Sequence, residues 1–76
     1  MNNTQRKELK ILIAETNNIK KRLEVVLSNE EQSFDNLSEG LQASARGMNI
    51  EEAIDNLNTA VECLDEAIES MEDAAL

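Results

Sequence analysis

Residues 50–75, IEEAIDNLNTAVECLDEAIESMEDAA, place apolar side chains at Ile50, Ile54, Leu57, Val61, Leu64, Ile68, Met71 and Ala75, in steps of four and three without a break. This is the heptad repeat of a helix that buries a continuous seam against a neighbour. With Ile54, Val61, Ile68 and Ala75 as a positions and Ile50, Leu57, Leu64 and Met71 as d, alanine fills every g position, at Ala53, Ala60, Ala67 and Ala74. A small residue beside the seam in every heptad lets another helix approach closely along that edge. The stripe is wide enough for a helix touching at least two neighbours, as in a four-helix bundle. Glu and Asp fill most of positions b, e and f, the faces left to water.

The start of this helix is predicted near residue 50 and its end near 74. Asn49 can cap it, Glu52 stands three residues on as in a capping box, Met48 can staple and Gly47 offers a permissive backbone. Glu51, Glu52 and Asp55 complement the positive end of the helix dipole, whereas Glu69, Glu72 and Asp73 lie unfavourably at its negative end.

Upstream, a first helix is predicted over about residues 4–32. Leu9, Leu12, Ile19, Leu23 and Val26 form its seam with Thr16 as a polar interruption, and Ile13 and Leu27 widen it on one side. Residues 1–33 hold six bases and five acids, while residues 34–76 hold only Arg46 against eleven acids. An antiparallel hairpin would bring Arg6, Lys7 and Lys10 near Glu69, Glu72 and Asp73, and would set Lys20, Lys21 and Arg22 opposite the middle of the acidic helix. Each exposed pair is worth about 0–1 kcal/mol, so charge selects the orientation while apolar burial supplies the energy.

One domain is what 76 residues allow, near the size at which a single core needs help from disulfides, metal or oligomerisation. Cys63 is the only cysteine and histidine is absent, so neither an intrachain disulfide nor a structural zinc site can be built. Oligomerisation remains. The expected architecture is all-α, two long helices in an antiparallel hairpin that pairs into a homodimeric four-helix bundle or a larger helical oligomer. Its core is expected at Leu12, Ile19, Leu23, Val26, Ile54, Leu57, Val61, Leu64, Ile68 and Met71. A lone thiol suits a reducing cytoplasm, and no apolar run reaches the roughly 20 residues of a membrane span.

Between the helices, residues 33–48 are expected as an ordered loop that includes FDNLSEGLQASARG. Such a connection is longer than the usual 2–8 residues. Phe34, Leu37 and Leu41 can plug the open end of the bundle while Gly40 and Gly47 permit the chain reversal. Alternatively the plug also arranges Phe34, Asp35, Asn36, Gln42, Ser44 and Arg46 as a binding cluster. The guanidinium of Arg46 suits a carboxylate or phosphate, or forms a salt bridge with Glu39, Glu51 or Glu52. Asn36 followed by Glu39 reads as a further helix start, and LSEGLQASA as one irregular turn.

The stretch EEQSFDNLSEGLQASARGMNIEEAIDNL, residues 30–57, resembles a recurrent family of small acidic, uncharacterised helical proteins encoded by phages and mobile elements of Firmicutes. That family carries the loop F-D-N-L/M-P-E-x-L-Q-x-S-x-R-G before a helix rich in E-E-A-I-D. Phe34, Asp35, Asn36, Leu37, Glu39, Leu41, Gln42, Ser44, Arg46 and Gly47 stand at the pattern's positions, and Ser38 stands in place of its proline. The resemblance implies a source more than a mechanism.

Composition sorts the function classes. A net charge of −9 and a single aromatic, Phe34, leave neither a phosphate-binding surface nor a stacking platform, so direct nucleic-acid binding is not expected. Without histidine, tyrosine or a glycine-rich phosphate loop, no catalytic group, metal or cofactor is expected. Cys63 has no histidine to activate it as a nucleophile. The reading that remains is an oligomeric module that binds protein: itself, and a basic host protein such as a defence factor that it inhibits if its source is a phage. The alternatives are an oligomer binding a small anionic ligand, such as a signalling nucleotide, and a purely structural assembly factor.

Overall fold

The computed structural model describes residues 1–76 as three helices without strands: α1 (Asn3–Asp35), α2 (Glu39–Gln42) and α3 (Ala45–Ala74). α1 and α3 pack together as a long hairpin with overall dimensions of 58 × 15 × 12 Å. The length follows from 33 residues in α1 at about 1.5 Å each, with the turn at one end. No helix is long and apolar enough to cross a membrane.

Side-chain capping starts each helix. Asn2 Oδ1 accepts from the N–H of Gln5 at 2.8 Å, Ser38 Oγ from Leu41 at 3.3 Å and Ser44 Oγ from Gly47 at 3.5 Å. Both long helices extend further toward the turn than their apolar repeats predict, α1 to Asp35 and α3, with Ser44 as its cap, back to Ala45. The expected loop of 33–48 shrinks to residues 36–44 with α2 inside it. Asn49 is not the cap, because Ser44 supplies one a full turn earlier and Gly47 adopts no positive φ that would break the helix.

The inner face of α3 is as its repeat requires. Ile50, Ile54, Leu57, Val61, Leu64, Met71 and Ala75 are half-buried, and Ile68 is buried at 8% exposure. The seam of α1 is displaced by one residue from the expected one. Leu9, Ile13, Thr16, Lys20, Leu23, Leu27, Glu30 and Phe34 turn inward, and Leu27 is buried at 9% exposure. Leu12, Ile19 and Val26 instead stay exposed at 39%, 54% and 49%. The apolar residues of the inward set run from position 9 to position 34, almost the whole length of the contact. The expected seam, from Leu9 to Val26, stops eight residues short of Phe34.

One ion pair crosses the hairpin, Lys20 Nζ to Asp65 Oδ1 at 2.5 Å. The pairs expected of Arg6, Lys7 and Lys10 with Glu69, Glu72 and Asp73 do not form, nor do Lys21 and Arg22 pair with α3. Register explains the first three. With residue 20 level with residue 65 and the helices antiparallel, residue 10 is level with 75, and Arg6 and Lys7 overhang the end of α3. Arg6 Nη1 donates instead to Asn3 Oδ1 at 3.3 Å.

Candidate functional site

Two regions stand out: the turn that joins the helices, and the side of the hairpin carrying Leu12, Ile19 and Val26.

The turn is built by local polar contacts. The N–H of Asn36 bonds the Gln32 carbonyl at 3.0 Å and the N–H of Leu37 bonds that of Phe34, also at 3.0 Å, closing α1. Gln42 Nε2 reaches back to the Phe34 carbonyl at 3.1 Å, tying α2 to the end of α1. Ser44 Oγ donates to the Leu41 carbonyl while accepting from Gly47, so one hydroxyl joins α2 to α3. Gly47 is buried, and a Cβ there would come within 2.6 Å of the Leu41 carbonyl oxygen and closer still to the carbonyl of Gln42. Glycine is thus needed for close approach and not for reversal. Gly40 has open space around it and no positive φ.

Of the residues expected to form a recognition cluster, Gln42 and Ser44 are half-buried and committed to these internal bonds, and Phe34 is half-buried on the inner face of α1. Asp35, Asn36 and Arg46 are exposed, and Arg46 pairs with none of Glu39, Glu51 and Glu52. Leu37, like Phe34, is half-buried, and Leu41 remains 46% exposed. Arg46 is the only base at this end of the molecule, so the turn does not gather cations around an anion.

The second region is apolar. Leu12, Ile19 and Val26 recur every seventh residue along α1, and Ile11 and Val25 beside them are also exposed. Ile19, Arg22, Leu23 and Val26 line a shallow depression of about 290 Å³. Their spacing, i, i+3, i+4 and i+7, is that of the four-residue hole into which a facing helix inserts a side chain. Sequence reasoning named Leu12, Ile19, Leu23 and Val26 but gave them to the hairpin seam as well as to the bundle. The displaced seam leaves all but Leu23 outward, and Leu23 lies at the border.

The electrostatics of both regions are simple. The hydrogen bond of Lys20 to Asp65, with the charges of Asp65 and Glu24, raises the lysine's pKa above the ordinary 10.5 against the opposing effect of desolvation. On α3, Glu52, Asp55, Glu62, Glu66, Glu69 and Asp73 are exposed and form no ion pair. Cys63 is an exposed free thiol. No group of three or more His, Cys, Asp and Glu side chains is placed to hold a metal ion.

No protein-family model, curated protein or solved structure matches the chain.

Proposed function

We propose that this chain acts by binding protein. It pairs with a further copy through the apolar side of the hairpin, and the pair offers its acidic outer faces to a basic partner. The observation carrying this reading is the imbalance of burial: Leu27 and Ile68 are the only buried apolar side chains, while Leu12, Ile19 and Val26 lie open in a line. A chain of 76 residues with so thin a core gains further stability from association.

The acids of α3 support the second half of the reading. Exposed and unpaired, they repel nucleic acid and attract a cationic protein surface. If the source is a phage or mobile element, as the resemblance of roughly residues 30–70 implies, the target is a host protein, with a nucleic-acid-binding defence factor the natural case. Filling its basic cleft would inhibit it without chemistry, in the cytoplasm where Cys63 stays reduced.

The test is capture from host lysate on immobilised protein, comparing wild type with the triple variant Glu62→Gln, Glu66→Gln, Glu69→Gln. Wild type should retain basic proteins in a salt-dependent way and the variant should lose them. Equal capture by both would overturn the acidic-face reading.

A further inference from the structure

The hairpin has two unlike sides. On each helix the residue just before an inward a residue lies roughly 100° around from it. Because the helices are antiparallel, that step leads to the same side of the hairpin on both. On α1 it leads to Leu12, Ile19 and Val26, preceding Ile13, Lys20 and Leu27; on α3 it leads to Ala53, Ala60, Ala67 and Ala74, preceding Ile54, Val61, Ile68 and Ala75. The opposite side carries the half-buried Asn17 and the Lys20–Asp65 bridge. One side is polar and bridged; the other is apolar and open.

The open side of α3 is also free of charge. Its alanines alternate with Asn56, Cys63 and Ser70, so every residue along this line is small and uncharged on a helix that elsewhere holds nine acids against Arg46. The open side of α1 is a ridge, with Leu12, Ile19 and Val26 standing out and Glu15 and Arg22 between them. A ridge of large residues beside a trough of small ones complements its own copy turned about.

We propose that a second copy covers this side, related by a two-fold axis parallel to the helices, so that α1 of each copy lies in the α3 trough of the other. The proposal rests on the self-association put forward above and adds its partner face, orientation and register. Rotation about such an axis leaves every residue at its own height. The register between copies is then inherited from the hairpin, in which Lys20 is level with Asp65. Leu12 falls between Ser70 and Ala74 of the partner subunit, Ile19 between Cys63 and Ala67 of the partner subunit, and Val26 between Asn56 and Ala60 of the partner subunit. The hole formed by Ile19, Arg22, Leu23 and Val26 stands at the height of the partner's Cys63.

Charge decides against the other two-fold. An axis across the helices would lay α3 on α3, bringing nine acids alongside nine, and would stack ridge on ridge. The parallel axis sets each acidic α3 between two copies of α1, whose six bases balance its six acids. Both turns then lie at the same end of a four-helix bundle.

The native thiol makes a direct test. The Ile19→Cys chain, oxidised in dilute solution, should give a covalent dimer on a denaturing gel through Cys63 of the partner subunit, while the same variant with Cys63→Ser should stay monomeric on that gel. Oxidised wild type should not cross-link, since its two thiols sit on diagonal helices. A covalent dimer from Ile19→Cys/Cys63→Ser would mean α1 on α1 and would overturn the orientation. As a second pair, Leu12→Cys with Ser70→Cys in a Cys63→Ser chain should also link. If light scattering shows dimers but neither pair links, the proposed face is wrong while self-association stands. If every variant and wild type scatter as monomers, the self-association itself is wrong.

Discussion

Lys20 Nζ meets Asp65 Oδ1 at 2.5 Å, and this single ion pair marks the level at which the two long helices face each other. It sits inside a seam that is otherwise mostly apolar, where α1 has a lysine in place of the expected hydrophobe. A partly exposed pair of this kind contributes little to stability.

Its pH dependence has a definite sign. The Lys20 pKa is raised in the folded chain, chiefly by the hydrogen bond to Asp65, so its contribution is complete below the ordinary lysine value of 10.5 and is lost as pH rises through the folded value. Melting temperatures followed by circular dichroism should fall as pH rises above about 10.5, the ordinary lysine value. The fall should be smaller in Lys20→Met; an equal fall in both would detach the effect from this pair.

Gly47 and Gly40 should respond to alanine in opposite senses. Alanine normally stabilises a helix by up to about 1 kcal/mol relative to glycine. Gly40→Ala, with open space around it, should follow that rule. Gly47→Ala drives a methyl into the Gln42 carbonyl and should cost about 1–3 kcal/mol in urea unfolding. Stabilisation by Gly47→Ala would contradict the close packing of α2 on α3.

The turn is held by caps, not by Arg46. Ser44→Ala should cost about 1 kcal/mol through the lost cap, and Arg46→Ala should leave helicity, melting temperature and assembly size unchanged. A large loss of stability on removing Arg46 would show a structural role that its exposed position does not provide.

Much of this arrangement is legible in the chain before folding, and the parts that are not have physical reasons. The seam of α3 follows from one uninterrupted repeat. The phase of α1 does not, because Leu12, Ile19 and Val26 are offset by one residue from Ile13 and Leu27, and Lys20 interrupts the stronger set. What separates them is reach: Leu9, Thr16 and Leu23 are common to both lines, and the inward one alone runs on through Leu27 and Glu30 to Phe34. Two mimics of a capping box hid the real caps: Asn36 with Glu39 hid Ser38, although Asn36 in fact ends α1, and Asn49 with Glu52 hid Ser44, as did Gly47, which reads as a breaker but is a contact point. The signal for the apolar side was present as well, in the absence of charge at Asn56, Cys63 and Ser70 on an acidic helix.

A charge placed in each of the two apolar stripes should separate their roles. Leu64→Asp puts a carboxylate into the hairpin seam and should unfold the chain, since burying an unpaired charge costs several kcal/mol. Ile19→Asp puts it on the open side, where the hairpin tolerates it, and should abolish association while weakening helicity far less. Identical outcomes would erase the distinction between inner and outer faces.

The most direct test of the account is the mass of the free protein by light scattering during size-exclusion chromatography, with refractive-index detection because the chain lacks tryptophan and tyrosine. The account predicts twice the chain mass of 8.5 kDa for wild type and a shift toward the single-chain value for Ile19→Asp. A wild-type protein that stays at 8.5 kDa at every concentration would contradict it.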